Sequence, residues 1–272
     1  MYWQDSWHFE DSIEYEYKYA GKYGAKGEPR AKKKKATPEQ IKKQNQANRE
    51  NTVRRLIKAN FGEGDLWCTV KYPRGVRPPL QKVRKDIQDF LRKCRKEYRR
   101  HGIEFKFIKR LEIGKRGGIH FHMLVNYIDG INTGELLNEL WEHGRINYET
   151  VYEAGGYVKL AEYIVKPLTE EMEGQLSLFE DEVKKEFVSY SSSKNLIRPQ
   201  PERKEYRRWT LRSLVENGPK PTPGYFIDKS SIVSGVNRYT GMSYYRYTEY
   251  NIAKNPKRYK RMLAELKKEA KD

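Results

Sequence analysis

Gly114-Lys115-Arg116-Gly117-Gly118-Ile119-His120-Phe121-His122-Met123-Leu124-Val125 reads as a glycine-rich turn feeding a strand. The run from Ile119 is short, apolar and rich in β-favouring residues, and the glycines before it supply the backbone freedom of a hairpin loop. Side chains alternate between the two faces of a strand, so His120 and His122 project to the same side. Residues 103–113 read as a second strand. With 114–118 as the loop, Ile113 pairs with Ile119 and Glu112 stands opposite His120. One face of the hairpin then carries a carboxylate and two imidazoles.

The neighbouring segments set the fold class. Leu66-Trp67-Cys68-Thr69-Val70-Lys71-Tyr72 reads as a strand. A helix is expected from about Leu80 to His101, because Leu80, Val83, Ile87, Phe90, Leu91, Cys94 and Tyr98 recur at three- and four-residue steps. Gly134 to Gly144 places Leu136, Leu137, Leu140 and Trp141 on a short helix ended by glycine, and Arg145 to Tyr152 reads as a fourth strand. Gly156 to Pro167 reads as a last short helix, started after Gly155-Gly156 and stopped by the proline. The string is β-α-β-β-α-β plus a helix. It predicts an α+β fold, a ferredoxin-like antiparallel sheet with helices on one face, carrying helical or irregular extensions at both termini.

Two imidazoles and a carboxylate, with positions left for water and phosphate oxygens, suit a divalent cation that polarises a phosphodiester. On the last helix Lys159, Tyr163 and Lys166 share one face, while Tyr157, Ala161, Ile164 and Leu168 form the apolar face that docks it on a sheet. A tyrosine over a metal-bound phosphate can attack phosphorus, and flanking lysines can stabilise the phenolate or the developing phosphate charge. Each motif alone has a plainer reading. A lone His-x-His is more often a solvated pair, and a chain with 21 tyrosines commonly has one at an interface beside solvated lysines.

Together and in this order the motifs resemble the HUH endonuclease superfamily, specifically the replication initiators of rolling-circle plasmids and small single-stranded DNA phages. The resemblance spans roughly residues 65–168. His120-Phe121-His122 matches the family's His-hydrophobe-His signature, Tyr163-Ile164-Val165-Lys166 its Tyr-x-x-Lys motif, and Thr69-Val70-Lys71-Tyr72 its first motif. Glu112 stands where these proteins often supply a third metal ligand. The resemblance implies a single-strand DNA nickase and strand transferase acting at a replication origin. Tyr163 would be the nucleophile, Lys166 its electrostatic partner with help from Lys159, and Glu112, His120 and His122 the ligands of Mg²⁺ or Mn²⁺. Some relatives use two tyrosines, but Tyr157 lies six residues from Tyr163 and on another face of the helix, so one catalytic tyrosine is expected. The His-x-His strand is expected at the middle of the sheet.

Composition agrees with a polyanionic partner. The chain carries a formal charge of +18, its pI is near 9.6, and 13% of its residues are aromatic, which suits stacking on unpaired bases. Basic charge fits ribosomal or membrane-surface proteins equally well. With a mean hydropathy of −0.99 there is no bilayer-spanning run and no signal peptide, so a cytoplasmic location is expected. Cys68 and Cys94 fall on apolar faces and read as reduced core residues. No Gly-x-x-x-x-Gly-Lys-Ser/Thr loop occurs, so strand unwinding would fall to a host helicase acting in trans.

The chain divides into a basic N-terminal arm with a helix (1–60), the endonuclease domain (61–168), an acidic insertion (169–186) and a basic, tyrosine-rich C-terminal region (187–272). In the arm, Thr37-Pro38-Glu39-Gln40 has the form of a capping box opening a helix to about Asn60. The insertion holds seven acidic and two basic residues, a net −5. Within it Gln175-Leu176-Ser177-Leu178-Phe179 looks like the peptide by which bacterial replication and repair proteins bind the sliding clamp. An extended peptide of this kind would seat its leucines and phenylalanine in an apolar groove. The alternative is a helix turn or strand packed on its own domain. Further on, Ser191 to Pro199 resembles a segment that often follows the tyrosine helix in phage-type initiators. A helix is expected around Tyr206 to Glu216, and a final basic helix near Lys257 to Ala270.

Three other readings compete. A single-tyrosine transposase shares the chemistry but is usually a much smaller chain. A mobilisation relaxase normally has its tyrosine near the N-terminus and a third histidine. A non-catalytic nucleic-acid-binding module is a reading of another class, since ferredoxin-like sheets often bind RNA.

Overall fold

The computed structural model describes residues 1–21, 35–62, 64–114, 117–154, 156–177, 185–187, 189–207, 211–237 and 240–269. In chain order the elements are β1 (Tyr2–His8), β2 (Ser12–Tyr19), α1 (Pro38–Lys58), β3 (Leu66–Lys71), α2 (Leu80–Arg100), β4 (Phe107–Ile113), β5 (Ile119–Val125) and α3 (Thr133–Leu140). They continue with β6 (Arg145–Thr150), α4 (Gly156–Val165), α5 (Glu170–Leu176), β7 (Tyr190–Ser192), β8 (Glu202–Tyr206) and α6 (Arg212–Asn217). The last are β9 (Tyr225–Ile227), β10 (Val233–Asn237), β11 (Met242–Asn251) and α7 (Pro256–Glu269). Two units result, Lys43–Arg198 and a second made of Met1–Lys42 with Pro199–Asp272.

In the Lys43–Arg198 unit an antiparallel five-stranded sheet has the order β6-β3-β5-β4-β7, so the His-x-His strand is central as expected. Its register is also the expected one, with Ile113 against Ile119 and Glu112 against His120. On one face α2 contributes Val83, Ile87, Phe90, Leu91, Cys94 and Tyr98 to a core with Cys68, Phe121, Met123, Leu137 and Trp141. Each such large side chain removed from water stabilises the fold by roughly 1.5–3 kcal/mol.

The opposite face is covered too, which corrects the expectation of helices on one side. Val53, Leu56 and Ile57 of α1 and Leu160, Ala161, Ile164 and Val165 of α4 form a second core with Trp67, Ile108 and Leu124. Phe121 to Val125 are all buried. A strand covered on both faces reads as a continuous apolar run, and that run outweighs the alternation that one solvated face would need. Smaller boundaries also shift: residues 103–106 precede β4 without joining it, and α3 ends at Leu140, before Gly144. Gly144 instead lies so close to β3 that a Cβ there would come 2.1 Å from the Lys71 carbonyl oxygen. Both cysteines are buried free thiols, as expected.

The termini, expected as helical or irregular, form a six-stranded antiparallel sheet of order β10-β11-β2-β1-β8, with β9 paired to β11. Ser12 to Tyr19 alternates apolar and charged residues, the period of a half-covered strand. Tyr15 lies in register with Tyr247 and Tyr17 with Tyr245. The buried Tyr2, Tyr17, Tyr245 and Tyr247 form this unit's core with Leu211 and Met242. The helix expected over Tyr206 to Glu216 is corrected as well: Tyr206 closes β8 and the helix begins at Arg212. The capping box is present, with Gln40 N–H donating to Thr37 Oγ1 (3.3 Å) and Thr37 N–H to Gln40 Oε1 (3.1 Å). The final basic helix is α7. No helix among the described residues is long and apolar enough to cross a membrane.

Candidate functional site

The β4–β5 hairpin sets the positions of three side chains. Its loop closes through Gly114 N–H to the Gly118 carbonyl at 2.9 Å and Gly117 N–H to the Gly114 carbonyl at 2.7 Å. Gly117 has φ +74°, a conformation that costs a residue with a Cβ roughly 1–2 kcal/mol. Beyond the loop, Glu112, His120 and His122 converge on the α4 side of the sheet, each offering a ligand atom within 4.8 Å of the others. Glu112 Oε2 lies 3.5 Å from His120 Nε2 and 3.3 Å from His122 Nε2.

Helix α4 brings Tyr163 and Lys166 over this cluster. The Tyr163 hydroxyl donates to Glu112 Oε2 at 2.8 Å and stands 2.8 Å from His122 Nε2. Lys166 Nζ is 2.6 Å from Glu112 Oε1 and 3.9 Å from the centre of the Tyr163 ring. Trp67 stacks on His122 at 5.5 Å between centroids and meets Tyr163 edge-on. Thr69 Oγ1 lies 3.2 Å from His122 Nδ1, so its hydroxyl fixes the imidazole's orientation.

Charge states follow from these contacts. Burial raises the Glu112 carboxyl, but hydrogen bonds from His120, His122 and Lys166 outweigh it and hold the group far below the usual carboxylate range. Burial lowers His122 despite the attraction of Glu112, which keeps the imidazole neutral, the form that ligates metal. Burial and the Glu112 charge push the Tyr163 phenol well above its ordinary value. An ionised carboxylate and two imidazoles with converging lone pairs are a donor set that fits Mg²⁺ or Mn²⁺.

Arg110, absent from the sequence-based site, is the structural addition. It lies on β4 two residues before Glu112, on the same face, and has no exposed surface. Its Nη1 donates to the carbonyls of Tyr163 (3.3 Å), Ile164 (2.9 Å) and Lys166 (2.7 Å). Those carbonyls end α4 and have no intrahelical partner, so one buried guanidinium fastens the turn that carries both Tyr163 and Lys166. The sequence signal was a charge at the strand position facing the cluster.

The other sequence candidates lie elsewhere. Lys159 is exposed and makes no contact with the cluster, and Tyr157 packs on the apolar core beside α4. Gln175 and Leu176 are the last residues of α5, and Ser177 caps it by donating its hydroxyl to the Gly174 carbonyl at 2.6 Å. Leu176 is buried in the α2-side core, so this stretch is a packed helix turn and not an extended peptide. Leu178 and Phe179 lie outside the described residues.

Residues 65–168, the segment holding the hairpin and the tyrosine helix, match the family model of the replication-associated protein ORF2. This segment belongs to that family. Neither a curated protein nor a solved structure matches the chain. The ORF2 family is replication-associated and of the rolling-circle type, which gives the chain a role in replication initiation.

Proposed function

We infer that this replication-associated protein nicks and rejoins single-stranded DNA at a replication origin through a covalent link on Tyr163. The observation that carries the reading is the Tyr163 hydroxyl 2.8 Å from both Glu112 Oε2 and His122 Nε2, a nucleophile set directly upon a metal-type donor set. Glu112, His120 and His122 would hold Mg²⁺ or Mn²⁺. Such an ion, when bound, polarises the scissile phosphate.

The chain's own residues account for the rest. Tyr163 Oη forms the bond to phosphorus as the bond from phosphorus to the 3′ oxygen breaks; the phenol gives up its proton and the 3′ oxygen takes one up. The product is a 5′-phosphotyrosine and a free 3′-OH that primes synthesis. One phosphoester replaces another, so an incoming 3′-OH can reverse the step and reseal the strand. Lys166, against the ring face of Tyr163, stabilises negative charge on the attacking oxygen. Arg110 positions both side chains. Unwinding of the origin falls to a separate helicase.

The test is incubation with a pool of single-stranded oligonucleotides and Mn²⁺, followed by peptide mapping of any protein–DNA adduct. An adduct on Tyr163, abolished by chelation of the metal, is expected. An adduct on Tyr157, or none across diverse pools, would overturn the reading.

A further inference from the structure

A cleft of about 380 Å³ opens beside His120, lined by Lys71, Tyr72, Arg74, Val76, Arg77 and Ile119 among others. It is continuous with the candidate site, because His120 belongs to both and Lys71 is its register partner on β3. Lys71, Arg74 and Arg77 are exposed, and among the described residues none has a carboxylate partner. Three unneutralised cations around one hollow favour a polyanion. Between them lie apolar surfaces: Ile119, Pro73 and the half-exposed Val76. The Tyr72 wall is fixed from behind, its hydroxyl donating to the buried Asp86 at 2.9 Å and its ring edge-on to Trp141 at 5.4 Å.

We propose that this cleft seats the nucleotide adjoining the scissile phosphate, Arg74 and Arg77 holding its phosphates and the Tyr72, Val76 and Ile119 surface taking its unpaired base. The inference rests on the nicking reading for the position of the cut. Guanidinium groups grip phosphate in pairs of hydrogen bonds, and an apolar, aromatic-walled hollow takes any base face and discriminates by fit. A double helix offers no splayed base to such a hollow, so the occupant is single-stranded DNA.

The experiment uses the full chain with Tyr163→Phe, which cannot react, and a fluorescent single-stranded oligonucleotide pool titrated by anisotropy at several salt concentrations. Arg74→Ala/Arg77→Ala is expected to weaken binding by roughly tenfold or more and to lower the slope of log Kd against log salt by about 1.4, the share of two phosphate contacts on a single strand. Lys96→Ala/Arg99→Ala, which removes the same charge from exposed positions on α2, leaves affinity within about twofold, as expected of remote, screened charges. Arg74→Gln/Arg77→Gln runs alongside, so that a folding defect in one variant leaves the comparison intact. In the reactive protein, sequencing of adducts from a pool randomised around the cut should show base preference flattened at the adjoining position only. Unchanged affinity and preference in the Arg74/Arg77 variants overturn the proposal. Absence of any wild-type adduct overturns the nicking reading alone, because the affinity comparison judges the cleft without it.

Discussion

A guanidinium with no exposed surface is tolerated only where its protons find acceptors, and Arg110 finds them in the carbonyls that end α4. Replacing it with methionine keeps the volume but leaves those carbonyls without their donor. Arg110→Met is therefore expected to destabilise the fold by about 3 kcal/mol, read from denaturant unfolding, the range for removing one member of a buried charged network. It should also slow adduct formation while leaving DNA affinity nearly intact, since the arginine touches backbone and not substrate. Stability and rate equal to wild type would show that the α4 terminus holds itself. Tyr163→Phe is the complement. It removes one hydroxyl from the cluster, so adduct formation should vanish while binding of single-stranded DNA remains; surviving adduct formation on another residue would refute the nucleophile assignment.

At the scale of elements, the hairpin is the part of the site that tolerates least change. Gly117→Ala places a Cβ on a residue at φ +74°, with Arg77 atoms no nearer than 3.9 Å, so backbone strain and not collision decides the outcome. A loss of roughly 1–2 kcal/mol is expected, seen as a lower unfolding midpoint with unchanged denaturant slope. No change would mean that this position does not hold a left-handed conformation in solution. The hairpin, its register and the Glu112–His120–His122 cluster are legible in sequence because their partners are few residues apart and the alternation of a strand fixes which side chains share a face. Arg110's role is not legible, because its acceptors are backbone carbonyls more than fifty residues away, and a carbonyl leaves no mark in sequence. For the same reason the second helical layer is hidden: α1 and α4 are readable as helices, but the face each covers is set by tertiary packing. The burial of Leu176 is likewise a matter of what α5 meets, which the acidic residues around it do not reveal.

At the scale of the whole molecule, the terminal sheet is where sequence says least. The alternation in β2 is plain, yet its partner β11 lies more than two hundred residues along, and so does the strand that pairs with the far side of β1. Nothing local specifies such a pairing; burial and charge do. Asp5 on β1 has no exposed surface, and its carboxylate takes two hydrogen bonds from Arg203 of β8, at 2.6 and 2.8 Å, with Lys18 Nζ at 2.7 Å. Burial raises this carboxyl, but Arg203 and Lys18 outweigh it and hold the group below its ordinary value of 3.8. A carboxyl whose folded value is depressed binds its proton more readily when unfolded. Its stabilisation is therefore complete above the unfolded value, about 3.9, and is lost as pH falls through the lower folded one. Asp5→Asn should thus cost about 2 kcal/mol at neutral pH, the scale of charge-assisted hydrogen bonds partly open to solvent. The difference between wild type and variant should stay flat from pH 7 to 5 and shrink below about pH 4 as the wild-type carboxylate is neutralised. Denaturant unfolding of both proteins across this range is the measurement. A gap that persists undiminished at the acid end would assign the cost to altered packing around the substituted amide and not to the charge that joins the first strand of the chain to β8.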